Sequence, residues 1–229
     1  MSDEQQPIWQ QALKDSSHPL HQATWLIFAE KMSVKGAAKL LAGQREQVIQ
    51  YCMQILEADE LLDSSAFGKG MAPVHAVDLL GKWRVEAAVP KLLQIVEREE
   101  AEESWDTYIY SSAIRALERM PPSSLETFWN LRGEAAKYGH ITLASILARV
   151  GKGEAKVYEW LLEIFEKQRD EMDIEIFGGY LLENNREIAI PYLENWMQSH
   201  SKLMTKRLRK ILPEMLEDAR SGKFPYNED

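Results

Sequence analysis

The chain has 229 residues, of which 45% are hydrophobic, and its 36 acidic and 27 basic side chains give a formal net charge of −9. Sequence-independent binding to nucleic-acid phosphates needs a basic surface, so this composition makes nucleic acid an unlikely partner. No apolar run approaches the ~18 residues that a membrane-spanning helix needs, and the acidic N-terminus lacks the pattern of a signal peptide. We therefore expect a cytoplasmic protein that does not bind a membrane.

Helical periodicity runs through the chain, because apolar residues recur three and four positions apart. Residues 1–6 are expected to be frayed, and Trp9 to cover the open end of the core, since terminal repeats need an atypical cover. Ser33 is a suitable N-cap. The predicted helices are, in chain order, residues 7–14, 19–32, 34–41, 44–56, 71–80, 86–97, 107–120, 125 onward, 139–150, 154–167, 172–183, 186–198 and 202–219.

Two stretches interrupt this pattern. Residues 57–72 combine acidic residues, serines and the pair Gly68 and Gly70, but the rest of a nucleotide-binding motif is missing. We expect these glycines to let the chain bend. Residues 98–106 are rich in glutamate, which predicts a solvated linker or a charged extension of the preceding helix.

The clearest element is a helical hairpin over residues 71–97. Gly81 is expected to stop its first helix. The second helix carries Pro90, which is tolerable only near a helix start, so we predict that this helix begins no more than four or five residues earlier. Its apolar stripe has spacings of three, one and three, which places Leu92 in the core and Lys91 on the open face. The stripe consists of Val89, Leu92, Leu93 and Val96.

Copies of the second helix recur along the chain. The segment EAAVPKL at 86–92 matches EIAIPYL at 187–193 and, more loosely, EAKVYEW at 154–160. The first match extends the expectation for Pro90 to Pro191. With two weaker matches, the equivalent residues are Ile49, Val89, Leu125, Val157 and Ile190, at intervals of 40, 36, 32 and 33 residues. Such a period is typical of stacked helix pairs.

The unit HAVDLLGKWRVEAAVPKLLQIVE resembles a HEAT-like repeat of the kind first described in phycocyanobilin lyases, and LASILARVGKGEAKVYEWLLEIF and YLLENNREIAIPYLENWM resemble it less closely. The resemblance is one of fold, because these repeats share no common chemistry. It implies an all-α, right-handed α-α superhelix of about five helix pairs with capping helices at both ends, whose second helices line the concave side. We predict a single solenoid domain over 1–229, with a repeat region over about 18–200, a C-terminal capping helix over about 202–219 and a loose tail over 221–229.

No residue pattern indicates catalysis, a metal or a cofactor. Cys52, the single cysteine, lies on an apolar stripe and is expected to be a buried free thiol. His18 and His21 are three residues apart and could share one face of a helix, but no third ligand lies nearby. None of the histidines precedes a glutamate, so the His-Glu dipeptides of helical-repeat di-iron hydroxylases are missing. The histidines are His18, His21, His75, His140 and His200.

The leading hypothesis is a non-catalytic scaffold or adaptor that binds a protein or peptide partner on its concave face. A basic partner would suit the net negative charge. The alternative is a helical-repeat enzyme that acts on nucleic acid, as DNA glycosylases do, or on a cofactor, as lyases do. A basic groove with a buried, unpaired carboxylate would favour the enzyme. The sequence leaves the oligomeric state open.

A row of polar side chains on the second helices is the predicted binding surface. The positions equivalent to Gln94 are Gln54, Gln94, Asn130, Leu162 and Asn195, so four of the five are side-chain amides. Nearly one turn back lie Tyr51, Lys91, Thr127, Glu159 and Tyr192. An amide carries both donors and an acceptor, which suits the backbone of an extended peptide, and armadillo-type solenoids use asparagine rows in this way.

Overall fold

A computed structural model describes residues 8–63, 65–104 and 107–223. Within these ranges the chain forms helices joined by turns and contains no β-strand, which confirms the predicted all-α class. The chain divides into two compact units, Met1–Met120 and Pro121–Asp229. The single domain predicted over 1–229 stays a prediction. The expectations for residues 1–6 and for 224–229 of the tail lie outside the described residues.

The helices of the first unit are α1 (Ile8–Lys14), α2 (His21–Ile27), α3 (Val34–Leu40), α4 (Arg45–Ile55), α5 (Met71–Lys82), α6 (Val89–Ala101) and α7 (Tyr108–Glu118). The unit is arranged around α5, which packs against α2, α3, α4 and α7, and α6 packs against α7. Most side chains of α5 are therefore buried, among them Val77, Leu79 and Leu80.

Helix α2 is shorter than predicted, because it ends at Ile27 rather than at residue 32. Residues 65–70 fold against that end. The ring of Phe67 lies 5.7 Å from the ring of Phe28. Gly68 has a φ of +81°, and a Cβ there would lie 2.6 Å from the carbonyl oxygen of Phe28. The expected role of the loop glycines in bending the chain is confirmed.

Gly81 does not stop α5, contrary to the sequence-based expectation, because the helix continues to Lys82. The residue is buried, and a Cβ on it would lie 2.6 Å from the Cα atom of Ala116 in α7. The absence of a side chain therefore lets α5 and α7 approach closely.

Arg84 ends α5 instead. Its φ of +53° lies in the left-handed region. The N–H of Val85 donates to the carbonyl of Leu80 at 3.0 Å, and the N–H of Arg84 donates to the carbonyl of Gly81 at 3.1 Å. These two bonds form a Schellman motif, which satisfies the last carbonyls of the helix.

The helices of the second unit are α8 (Leu125–Asn130), α9 (Ala135–Tyr138), α10 (His140–Val150), α11 (Ala155–Phe165), α12 (Glu171–Ser199) and α13 (Leu208–Ser221). The unit is arranged around α12: helices α10, α11 and α13 pack against it, and α8 packs against α10. Asn185, with φ −149° and ψ 90°, interrupts α12 and divides it into a first segment (171–184) and a second segment (186–199). The predicted capping helix, α13, begins at Leu208, later than expected. None of the described helices is both long enough and apolar enough to cross a membrane.

The two prolines lie near helix starts, as predicted. Pro90 occupies the first turn of α6. Pro191 lies five residues after Arg186, with which the second segment of α12 begins past the break at Asn185. The side-chain oxygen of Asn185 accepts the N–H of Ile188 at 3.3 Å, so Asn185 caps this second segment.

The predicted register of α4 is wrong by one residue. Its buried stripe is Val48, Tyr51, Cys52 and Ile55. This stripe has the spacing of three, one and three found in Val89, Leu92, Leu93 and Val96 of α6, all of which are also buried. Val48 is fully buried, whereas Ile49 is only partly buried, so Val48 rather than Ile49 corresponds to Val89.

Candidate functional site

The histidines do not assemble a metal site. Within the described ranges, no group of three or more His, Cys, Asp or Glu side chains could hold a metal ion. His18 lies in the turn before α2, where its Nδ1 accepts the N–H of Leu20 at 3.1 Å. The Nδ1 of His21 lies 2.8 Å from the carbonyl oxygen of Ala12. The two rings therefore do not share one helix face, and each is held by a backbone group.

Cys52 is a buried free thiol, as expected. Burial raises the pKa of this thiol well above its usual range. Because the thiolate is the nucleophilic form, Cys52 is not activated for nucleophilic chemistry.

Glu99 is the buried carboxylate of the described part of the chain, at 5% exposure. It accepts hydrogen bonds from Arg98 at 2.8 and 3.0 Å and from the hydroxyl of Thr107 at 2.7 Å. Glu99 is thus a paired group that fixes the end of α6 against the start of α7. It does not meet the criterion of a buried, unpaired carboxylate.

In the first unit, the two predicted amides lie on the surface. Gln54 of α4 and Gln94 of α6 are both exposed. Gln54 lines a pocket of about 250 Å³ together with Gln47 and Gln50. Gln94 lines a pocket of about 180 Å³ together with Arg98. Each amide can therefore be reached from solvent at the edge of a concavity.

Tyr51 was expected beside these amides, but this prediction is wrong. The residue is 2% exposed, and its hydroxyl is hydrogen-bonded to that of Thr24 over 3.0 Å. Burial raises the pKa of the Tyr51 hydroxyl. The physical reason is the one-residue shift in the register of α4, which turns Tyr51 toward α2 and into the core.

The same shift corrects the predicted equivalence of Gln54 with Gln94, because Met53 lies five residues after Val48 as Gln94 lies five after Val89. Gln54 is exposed, but it stands one position further round its helix.

Like Tyr51, Lys91 does not lie on an open face, contrary to the prediction. Its side chain is 19% exposed, and its Nζ forms an ion pair of 3.1 Å with Glu57, beyond the end of α4. The aliphatic part of the side chain is covered, as is common for lysines whose charged end reaches solvent. The ion pair joins α6 to the neighbouring second helix.

In the second unit, the four predicted residues Thr127, Asn130, Glu159 and Asn195 are exposed. Tyr192 is partly buried. Its hydroxyl donates to the carboxylate of Glu166, and its ring lies 6.2 Å from that of Phe165.

Side-chain contacts hold the second helices of this unit side by side. The ion pair of Lys156 with Glu126 and the ring contact of Trp129 with Trp160, at 6.4 Å, join α8 to α11. Tyr192 and Glu166 join α11 to the second segment of α12, and Arg220 and Glu194 join that segment to α13.

Sequence reasoning missed three polar residues near the amides, Gln47, Gln50 and Arg98. A usable signal was present for all three. Gln50 lies four residues before Gln54, Gln47 lies three before Gln50, and Arg98 lies four residues after Gln94. Residues three or four apart share one face of a helix, so each belongs to the face of its amide.

No family model matches the sequence, and comparisons with curated proteins and with solved structures found no match. The all-helical architecture is compatible with a helical repeat, and the HEAT-like identity stays a prediction.

Proposed function

We propose that the chain is a non-catalytic helical-repeat scaffold or adaptor that binds a protein or peptide partner through the exposed face of its second helices. The fold proposed with it is a right-handed HEAT-like superhelix of about five helix pairs with capping helices at both ends. The matching buried stripes of α4 and α6 support this fold, as do the side-by-side contacts among the second helices of the second unit.

One observation carries the function. The side-chain amides of Gln54, Gln94, Asn130 and Asn195 are exposed. Their amide groups have no hydrogen-bond partner within the part of the chain that the structure describes. Each amide can donate and accept at once, which matches the alternating carbonyl and N–H groups of an extended backbone. These four residues are called the amide row below.

The partner that suits the amide row is an extended peptide segment, because backbone groups are present in every sequence. A basic segment is favoured further by the net charge of −9. The alternative of a helical-repeat enzyme stays a prediction, and Glu99, being paired, gives it no support.

The test replaces Gln94 and Asn130 together by Ala. Each hydrogen bond contributes about 0.5–1.5 kcal/mol, so we expect capture of the partner from native cell extract to weaken by roughly tenfold. The melting temperature should stay nearly unchanged, because both residues are exposed.

The matched control replaces Gln22 and Gln44, two exposed amides outside the row, by Ala. This control should capture the partner as the unchanged protein does. Capture that survives the Gln94 and Asn130 change, or that is lost equally in the control, would show that the amide row does not bind the partner.

A further inference from the structure

A groove separate from the amide row lies in the second unit, between the first segment of α12 and α13. Its volume is about 570 Å³. Its floor is apolar and is formed by Ile176, Gly179, Ile211 and Met215, and five carboxylates stand along it.

The groove follows from the spacing of residues on the two helices. On α13 four of the five lining residues are at positions 211, 214, 215 and 218, and on α12 four of the five are at positions 176, 179, 180 and 183. Both sets share the spacing of three, one and three that marks one face of a helix. Gly179 has no side chain, so it leaves space at the centre of the floor. Each set covers seven residue steps, which is about 10 Å or two helical turns.

The carboxylates form the rim of the groove, and only some of them are paired with a basic side chain. Glu175 accepts hydrogen bonds from Arg207 at 2.7 and 3.1 Å. Glu183 accepts hydrogen bonds from Arg149 at 3.0 and 3.1 Å. Arginine thus neutralises the rim on the α12 side.

The α13 side of the rim differs. Glu214 and Glu217 are exposed. Neither forms an ion pair or hydrogen bond within the described ranges. Two carboxylates therefore stand unpaired beside an apolar floor.

We infer that this groove binds an amphipathic helix of a partner protein, with apolar side chains on the floor and Lys or Arg opposite Glu214 and Glu217. An apolar groove two turns long fits the anchors that a helix presents at positions i, i+3 or i+4, and i+7. Unpaired carboxylates beside it favour a cationic polar face over an anionic one. The inference goes beyond the amide row, because it concerns other helices and the recognition of side chains rather than backbone.

The probe is a fluorescein-labelled peptide of about 18 residues, or five helical turns, with leucines at helical spacing and lysines elsewhere. A second peptide carries glutamates in place of the lysines. Fluorescence anisotropy with the full chain should show saturable binding of the lysine peptide and no binding of the glutamate peptide. Binding of the lysine peptide should weaken as salt is added. Binding of both peptides with equal affinity would overturn the inference.

The deciding variant is Glu214→Lys with Glu217→Lys, which reverses the unpaired side of the rim. The matched control, Glu163→Lys with Glu187→Lys, reverses two exposed glutamates elsewhere in the same unit and changes the net charge equally. We expect the rim variant to bind the lysine peptide at least about tenfold more weakly and the control to differ by less than about twofold. A similar loss in both would assign binding to net charge alone and overturn the inference.

A third variant, Ile176→Gln, tests the floor and should also weaken binding, with the melting temperature measured in parallel. A concentration-dependent dimer that the rim variant abolishes would assign the groove to a second copy of the chain. Competition by a short alkylamine with affinity equal to the peptide would assign it to a small cation; either result overturns the inference. Because these changes leave the amide row intact, failure here together with normal partner capture would leave the proposed function standing.

Discussion

The side-chain amide of Asn184 donates a hydrogen bond of 2.7 Å to the carbonyl oxygen of Gly151 and a longer one, of 3.3 Å, to that of Ala148. In return, the N–H of Gly153 donates to the carbonyl of Asn184 at 2.9 Å. The last carbonyls of a helix have no partner within it, so a 1% exposed asparagine at the end of the first segment of α12 satisfies the end of α10.

Replacing Asn184 by Ala should therefore destabilise the second unit. The change removes the donor of the Ala148 carbonyl in the core, whereas the Gly151 carbonyl keeps the N–H of Glu154 at 3.0 Å. We expect a cost of about 1–3 kcal/mol. Chemical denaturation measures the loss. Asn130→Ala, which removes an exposed amide, is the matched control and should cost less than about 0.5 kcal/mol. Equal losses would mean that these buried bonds do not contribute to stability.

Gly81→Ala should destabilise the first unit, although alanine is the better helix former. A Cβ at residue 81 would lie 2.6 Å from the backbone of Ala116. Overpacking of this kind costs about 1–3 kcal/mol, which exceeds the gain in helix propensity of about 1 kcal/mol.

Gly178→Ala is the matched control for this contact, because Gly178 lies in α12 and a Cβ there would lie 3.7 Å from the side chains of Leu212 and Phe165, an ordinary van der Waals distance. It should be neutral or stabilising by up to about 1 kcal/mol. Thermal melts of both variants decide the point. A gain at residue 81 as large as that at residue 178 would contradict the close approach of α5 to α7.

Arg84→Gly should stabilise the protein relative to Arg84→Ala. The φ of +53° at this position is costly for any residue with a Cβ, whereas glycine adopts it freely. The exposed arginine has no partner in the described structure that its loss would remove. We expect the glycine variant to be more stable than the alanine variant by about 1 kcal/mol in denaturant titrations. No difference between them would argue against the left-handed helix end.

The helices could be predicted from the sequence because their cause is local. Apolar residues three and four apart mark the buried face of a helix, and Leu92 lies where its stripe predicts. The pattern was ambiguous in α4, where Val48 and Ile49 are both apolar neighbours. The prediction aligned Ile49 rather than Val48 with Val89, which shifted the predicted buried face of α4 by one residue. That shift placed Tyr51, which is buried, on the predicted surface.

Contacts between distant residues could not be predicted in this way. The role of Gly81 depends on the backbone of Ala116, 35 positions further along the chain, and not on the residues around it. The groove likewise needs the first segment of α12 beside α13, so no window of the sequence contains it. The amide row lies between these cases. Helical spacing predicted the exposed position of Gln94, whereas Gln54 was chosen in the wrong register, and no local pattern indicates the partner.

The last prediction compares three neighbouring residues of α6. Leu92 has no exposed surface, so Leu92→Ala removes core packing and should cost about 2–5 kcal/mol. Gln94 is exposed and unbonded, and Gln94→Ala should cost less than about 0.5 kcal/mol. Lys91 should fall between them at about 0.5–1.5 kcal/mol, because its covered stem is lost along with its ion pair to Glu57.

The measurement is the free energy of unfolding of each variant, at low and at high salt. Salt screens an ion pair whose glutamate is 67% exposed, so the cost of Lys91→Ala should fall only partly at high salt. What remains at high salt reports the packing of the lysine stem against its neighbours. A Lys91→Ala cost that vanishes at high salt would show that the ion pair alone holds Lys91 in place. If Lys91→Ala instead costs no more than Gln94→Ala at low salt, the side chain of Lys91 lies on the open face, as the sequence pattern predicted.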